Sequence, residues 1–324
     1  MTWDLYGLPF SLHQSSCSNR KPMMFSWDED VDLDVELWID AAIEVGLTTE
    51  KRKAKKYAWL CESRSIIPFF SNFYSLDEKG NMVVDGITPI LQDIIDEYDG
   101  IFTCDKDLVK LHDKIHFCFA GSTLPWVSKE NWDMHRKNEL CSFISSSKNL
   151  CKGHQKRHDL NNMFKNEFGA PTEDNLYPPV HVYGSITGKI LGYQSGCHLA
   201  GGSEKWHDKF DALQSFTYSI VIENDVYPSY FTEKLTDCFV TGTVPIYWGA
   251  PDIGDYFDTG GMFLVNSVDE IKYLLEYLHI DMNHKNEYMA RLSYLRNNFH
   301  KVTFMESPDD MLYRKITQLK EEVL

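Results

Sequence analysis

Short apolar stretches alternate with longer segments of helical spacing throughout the second half of the chain. Strands are predicted at 140–146, 180–183, 216–222, 244–248 and 262–265, and helices at 155–168, 204–213, 230–241 and from 268 onward. Strands that alternate with helices in this way form parallel sheets with crossover helices. The pattern therefore predicts an α/β fold.

The first half of the chain repeats this alternation less regularly. Strands are predicted at 57–61, 100–103 and 115–120, and helices at 33–45, 89–98 and 106–113. A chain of 324 residues is long enough for two domains. We expect an N-terminal domain over 1–138, a C-terminal domain over 139–305, and a last helical segment over 306–324 that packs back across the cleft. A ligand would bind between the two domains, at the carboxyl ends of the strands.

The charge of the chain argues against a nucleic-acid partner. It has 48 acidic and 32 basic residues and a formal net charge of −16, whereas a nucleic-acid binder needs a basic face to displace counterions from phosphates. The N-terminus lacks the pattern of a signal peptide, and no run of about eighteen apolar residues indicates a transmembrane segment. A cytoplasmic protein is the simplest expectation.

The stretch SYFTEKLTDCFVTGTVPIYWGAP at 229–251 joins a predicted helix to a strand that ends in glycine. On a helix that begins near Tyr230, Tyr230 and Lys234 lie one turn apart, with Glu233 beside them. The preceding strand brings Asn224 to the same edge, where a helix N-terminus favours an anion. Lys234 would then neutralise a diphosphate and Glu233 would hold a ribose hydroxyl. The alternative is an exposed Glu-Lys pair without a ligand.

This stretch resembles the donor site of the α1,3/4-fucosyltransferases, glycosyltransferase family 10. Bacterial members carry F-E-N at a strand end, then Y-x-T-E-K and G-T-x-P-I-Y-W-G-x-P. Here these segments read IEN at 222–224, YFTEK at 230–234 and GTVPIYWGAP at 242–251. The sequence departs from the family pattern at Ile222, in place of phenylalanine, and at Asp225, in place of serine or threonine. The resemblance implies a GT-B-type fold, in which two Rossmann-like domains face a central cleft.

The resemblance also implies which residues bind the donor, GDP-fucose. It extends to CSFISSSKNLCKGHQKRHDLNNMF, in which Arg157 occupies the position of the family's arginine. The implied donor-binding residues are Arg157, Asn224, Tyr230, Glu233 and Lys234. Arg157 and Lys234 would offset the charge of the leaving diphosphate, which a metal ion does in other transferases. The stretch HVYGSITGK adds Lys189 as a further phosphate contact.

A general base is expected in the first half, where the resemblance is weak. The family's base is a glutamate after a short apolar strand, and KKYAWLCE places Glu62 in that setting. An inverting transfer needs a carboxylate that accepts the proton of the acceptor hydroxyl. The alternative is that Glu62 pairs with Arg64 or with the basic run at 51–56.

The sequence as a whole predicts an inverting glycosyltransferase that moves L-fucose from GDP-fucose to a hydroxyl of a glycan acceptor, with Glu62, Arg157 and Lys234 as catalytic residues. The twelve histidines show no metal-ligand spacing. No metal site and no cofactor are therefore expected, and a divalent cation that assists the donor stays an alternative. Two other functions stay open: transfer from another nucleotide sugar, and binding of a nucleotide sugar or glycan without turnover.

Overall fold

A computed structural model describes residues 3–12, 21–27, 35–50, 54–168, 180–184, 209–280 and 283–321. Within these ranges the chain forms two five-stranded parallel sheets and one two-stranded antiparallel ribbon. No helix in them is long and apolar enough to cross a membrane.

The N-terminal sheet has its strands in the order of the chain, β1-β2-β3-β6-β7. The strands are β1 (Trp3–Tyr6), β2 (Val35–Ile39), β3 (Lys55–Leu60), β6 (Gly100–Thr103) and β7 (Ile115–Phe117), with the ribbon strands β4 (Ser75–Leu76) and β5 (Met82–Val83). The helices of this half are α1 (Ala42–Gly46), α2 (Pro89–Glu97) and α3 (Lys106–Val109). Because every crossover leads to the next strand in the same direction, this sheet has no topological switch point.

The helix predicted at 33–45 is wrong, because residues 35–39 form strand β2 and only the short helix α1 follows it. All five residues of β2 are buried. A strand buried on both faces of a parallel sheet is apolar at almost every position, so its sequence lacks the period of two that marks a half-buried strand.

The C-terminal sheet has the order β12-β11-β10-β8-β9, with all strands parallel. Its strands are β8 (Glu139–Ile144), β9 (Val180–Tyr183), β10 (Phe216–Ile222), β11 (Val244–Trp248) and β12 (Phe263–Leu264). From β8 the chain crosses to β9 on one side and then returns to β10 on the other. The carboxyl ends of β8 and β10 therefore form a switch point, where open α/β sheets bind their ligands.

The helices of this half are α4 (Lys152–Phe168), α5 (Glu233–Val240), α6 (Val268–His279), α7 (Asn283–Thr303) and α8 (Pro308–Glu321). The strands predicted at 180–183, 216–222 and 244–248 have the observed bounds. Of the helix predicted at 204–213, the first five residues lie outside the described ranges, and residues 209–213 form turns rather than a helix.

The last helix and several polar contacts tie the two halves of the chain together. Leu312 and Ile316 of α8 lie in one buried cluster with Leu37 of the N-terminal sheet. Elsewhere, Lys106 Nζ lies 3.1 Å from Asp252 Oδ2. The two halves therefore pack directly against each other, and both contribute walls to the space between them.

Candidate active site

A cavity of about 420 Å³ lies at the carboxyl ends of β8 and β10, between the two halves of the chain. From the N-terminal half it is lined by Phe10, Glu62, Ser122 and Trp126. Its C-terminal lining includes every predicted donor-binding residue that the structure describes: Arg157, Asn224, Tyr230, Glu233 and Lys234. The volume is typical of a site for a small molecule. The sheet topology and the sequence motif thus identify the same place.

Arg157 is a buried cation that neutral oxygen atoms hold in place. Its Nε donates to the carbonyl oxygen of Ile222 at 3.0 Å, and its Nη2 donates to Asn224 Oδ1 at 2.9 Å. Only 4% of the residue is exposed, and burial lowers the pKa of its guanidinium. No carboxylate in the described part of the chain forms an ion pair with it. Its charge is therefore available to an anion that enters the cavity.

Helix α4 can bring Arg157 to the cavity because it begins directly against the end of β10. The backbone N–H of Gly153 donates to the carbonyl oxygen of Asn224 at 3.0 Å. A Cβ atom at Gly153 would lie 1.8 Å from the carbonyl oxygen of Glu223. Only glycine permits this close approach of helix and strand.

A buried glutamate organises the start of α5. Glu223 is fully buried, and it accepts hydrogen bonds from both the backbone N–H and the hydroxyl of Thr232, each at 2.8 Å. Thr232 is the N-cap, since its hydroxyl accepts from the backbone N–H of Lys234. Lys234 Nζ donates to the same hydroxyl at 3.0 Å and lies 3.5 Å from Glu223 Oε2. These contacts fix the ammonium group at the cavity wall.

This cap also corrects the prediction for Tyr230. The helix begins at Glu233 and not near Tyr230, so Tyr230 and Lys234 do not share a helical face. Tyr230 is instead buried, and its ring stacks on that of Tyr227 with centroids 4.9 Å apart. The structure still brings Tyr230 to the cavity, but through the loop that precedes the helix.

Glu233 is held by a lysine that the sequence does not single out. Lys209 Nζ donates to Glu233 Oε1 and to Asp237 Oδ2, each at 3.0 Å, and lies 4.6 Å from the ring centre of Trp126. Burial lowers the pKa of Lys209, but the two carboxylates raise it further, to a value above its usual range. Glu233 is only 5% exposed, so the alternative of an exposed Glu-Lys pair is wrong. No motif marks Lys209, because strand β10 and a loop separate it from its partners in the sequence.

On the N-terminal side of the cavity, Glu62 lies half-buried two residues after β3. Burial raises the pKa of its carboxyl, while the ammonium of Lys234 lowers it by a smaller amount. The alternative partner Arg64 is taken, since its Nε and Nη2 donate to the two oxygens of Asp105 at 2.7 and 2.8 Å. Glu62 is therefore a carboxylate with a raised pKa at the cavity.

Sequence reasoning missed a second carboxylate beside Glu62. Asp40 follows β2 with a φ of 51°, and its Oδ1 accepts the backbone N–H groups of Cys61 at 2.8 Å and Glu62 at 3.1 Å. Burial, together with the charge of Glu62, raises the pKa of Asp40 to about 7. The signal was the aspartate at a strand end, which the incorrect helix at 33–45 concealed.

Asp225, at which the sequence departs from the family pattern, contacts the N-terminal half of the chain. Asp225 Oδ2 accepts from the backbone N–H and the hydroxyl of Ser65, at 3.0 and 2.5 Å. This acid therefore binds the N-terminal half and is not among the residues that line the cavity. Lys189, the remaining predicted phosphate contact, lies outside the described residues. Across the described ranges, no cluster of three His, Cys, Asp or Glu side chains is placed to hold a metal ion.

Comparison with known sequences identifies a family for most of the C-terminal half. The family model "Glycosyltransferase family 10 (fucosyltransferase) C-term" matches residues 134–318. The α-(1,3)-fucosyltransferase FucT of Helicobacter pylori is 25% identical over 187 residues, which is 56% of this chain and 38% of that protein. An α-(1,4)-fucosyltransferase of Arabidopsis thaliana is 28% identical over 152 residues, which is 44% of this chain and 34% of that protein. The chain thus matches little more than a third of the length of these relatives.

Comparison with solved structures identifies the fold. A crystal structure of an α1,3-fucosyltransferase with GDP has 16% identity and a TM-score of 0.50, and the match covers 91% of this chain and 80% of that one. HepE of Anabaena, in complex with UDP and glucose, has 8% identity and a TM-score of 0.51, and the match covers 88% and 78%. The architecture shared with these glycosyltransferases is GT-B, which confirms the predicted fold class.

Proposed function

This chain belongs to glycosyltransferase family 10, and from that premise we propose that it transfers L-fucose from GDP-fucose to a hydroxyl group of a glycan. The observation that carries this proposal is the cavity at the switch point. On one side it presents Arg157 and Lys234, two cations in fixed positions, and on the other it presents the carboxylate of Glu62. Such a pocket has the parts that a transfer from a nucleotide diphosphate requires.

On the donor side, the diphosphate would lie against Arg157 and Lys234. As the bond between the sugar carbon and the phosphate oxygen breaks, GDP leaves with the electron pair, and the two cations offset its growing charge. Glu233, which Lys209 holds in place, would accept a hydrogen bond from the ribose. Asn224 and Tyr230 would complete the wall around the sugar nucleotide.

On the acceptor side, Glu62 would be the general base. It takes the proton of the acceptor hydroxyl while the new bond forms between that oxygen and the anomeric carbon, on the face opposite to the leaving GDP, so that the configuration inverts. Burial raises the pKa of Glu62 above its usual range, which suits a base that must accept a proton in the transition state. Asp40 would act as a positioning residue, because it holds the backbone N–H group of Glu62.

The proposal requires no cofactor, since side-chain cations supply the positive charge at the leaving group. Calorimetry tests both the choice of donor and the need for a metal ion. The ligands are GDP, GDP-fucose, GDP-mannose, UDP-glucose and UDP-GlcNAc, each with and without Mn²⁺. We expect GDP and GDP-fucose to bind without the metal. Ligand at about one hundred times its Kd would stabilise the fold by about 2.7 kcal/mol in a parallel thermal-shift measurement.

The matched variants are Lys234→Ala and Lys285→Ala, the second of which changes an exposed lysine on α7. We expect Lys234→Ala to lower kcat/KM by roughly 10²–10³-fold and to weaken GDP binding, because it removes a cation from the leaving group. Lys285→Ala should change neither quantity. Preference for a UDP sugar would keep the fold but contradict the fucose donor. Full activity of Lys234→Ala would contradict the donor site itself.

A further inference from the structure

His154 lies in the wall of the cavity, on the first turn of α4, and the reaction outlined above assigns it no role. Only 3% of the residue is exposed. It precedes Arg157 by three positions, so the two side chains lie on the same face of the helix. A neutral imidazole donates a hydrogen bond from one ring nitrogen and accepts at the other, and the contacts of His154 decide which nitrogen does which.

The contacts of His154 decide which ring nitrogen carries the proton. Its Nδ1 lies 3.2 Å from the backbone nitrogen of Leu150, which can only donate, so Nδ1 must offer a lone pair. Cys151 Sγ lies 3.1 Å from the same Nδ1 and can donate its S–H there too. Burial, together with the charge of Arg157, lowers the pKa of His154 to about 4. At neutral pH the ring is therefore uncharged and carries its proton on Nε2.

The Nε2–H group has no acceptor within the part of the chain that the structure describes, although the ring lines the cavity. A donor that opens onto a cavity and meets no acceptor from the protein can bind a ligand or an ordered water. The charges that act on the ring come from Arg157, Lys148, Lys234 and His158, all of which lower its pKa. An oxygen atom of an anion is the acceptor that this surrounding favours.

We propose that His154 is a donor-binding residue that gives its Nε2–H to a phosphate oxygen of the nucleoside diphosphate. This rests on the proposed function of the cavity as a nucleotide-sugar site. As a neutral donor, the imidazole adds a hydrogen bond without placing a third positive charge next to Arg157 and Lys234. It therefore strengthens diphosphate binding, and it adds no repulsion between cations when no ligand is bound.

Two conservative substitutions separate a role in ligand binding from a purely structural one. The amide nitrogen of His154→Gln reaches about as far as Nε2 and keeps the donor to the cavity, but it gives up the acceptor for Leu150. The shorter His154→Asn keeps an acceptor for the Leu150 N–H group and gives up the donor to the cavity. The experiment is calorimetry of GDP, GMP and guanosine with the wild-type chain and both variants, at equal folded fractions.

We expect His154→Asn to weaken GDP binding by about 10- to 100-fold, as the loss of a hydrogen bond to a charged group predicts. His154→Gln should stay within about threefold of the wild type, and guanosine affinity should be equal in all three proteins. GDP affinity that is normal in His154→Asn would overturn the inference, as would equal losses in both variants or a loss that guanosine shares. Wild-type protein that binds no GDP would overturn the proposed function as well, so the two failures are distinguishable.

Discussion

The two halves of the chain line one cavity. They share the same architecture, but the C-terminal half brings cations to the cavity and the N-terminal half brings a carboxylate. Each half has a five-stranded parallel sheet, but only in the C-terminal sheet does the strand order reverse, because β9 and β10 lie on opposite sides of β8. That switch opens a crevice at the strand ends, and Arg157 and Lys234 lie there. Within the described residues, the N-terminal sheet has no switch point, and it brings single carboxylates, Asp40 and Glu62, to the ends of β2 and β3. Under the proposed function, the crevice would hold the diphosphate, and a single positioned carboxylate would activate the acceptor hydroxyl.

The sharpest test of this division is Glu62→Gln, for which we expect the largest effect. The substitution removes the proposed base and leaves the proposed donor-binding residues intact, so kcat should fall by about 10²–10⁴-fold while the Kd of GDP stays unchanged. Steady-state kinetics and calorimetry on the same preparation measure the two quantities. A parallel loss of GDP affinity would break the division between the two sides, and unchanged kcat would assign the base to another carboxylate.

The second test uses pH, because the two sides of the cavity should respond to acid with opposite signs. The pKa of His154 is lowered from 6.5 to about 4, so the folded state lacks a proton that the unfolded state binds, and stability falls as the pH drops through this range. The pKa of Asp40 is raised from 3.8 to about 7, so the folded state holds an extra proton, and its contribution rises as the pH drops.

The corresponding variants are His154→Gln and Asp40→Asn, compared with the wild type by urea unfolding from pH 8 to pH 4.5. Relative to the wild type, His154→Gln should become more stable as the pH falls, by at most about 3 kcal/mol. Asp40→Asn should become relatively less stable over the same range. The difference in unfolding free energy between each variant and the wild type is plotted against pH. Two plots that slope in the same direction would show that His154 and Asp40 do not distinguish the two sides.

The smallest effect is expected for one of the contacts that join the two sides, between Ser65 and Asp225. A double-mutant cycle with Ser65→Ala and Asp225→Asn should give a coupling energy of about 0.5–1.5 kcal/mol in the free energy of unfolding, the net value of the one part-buried hydrogen bond that the Ser65 hydroxyl donates. The Kd of GDP should stay constant in all members of the cycle. A coupling energy of zero would mean that this contact does not hold the halves together.

Local patterns predicted the parts of the C-terminal half that depend on neighbouring residues. The bounds of β9, β10 and β11 follow from apolar runs that end in turn residues. Arg157 and Lys234, which the resemblance supplied from two separate motifs, line the same cavity. Local pattern failed at Tyr230, because Thr232, which Glu223 at the end of β10 holds in place, caps the helix and sets its start at Glu233. It failed again at β2, whose uniform burial hides the strand period.

The sequence alone determined the α/β class, the family and the motif that lines one side of the cavity, since each is encoded in a continuous stretch of residues. Only the tertiary structure decided that Lys209 holds Glu233, that Asp40 accompanies Glu62, and that the proton of His154 is on Nε2. The first two pairs join segments separated by a helix or a strand. The proton position depends on burial and on the charges of several elements at once. Such contacts follow from how elements pack, which no local period or cap in the sequence records.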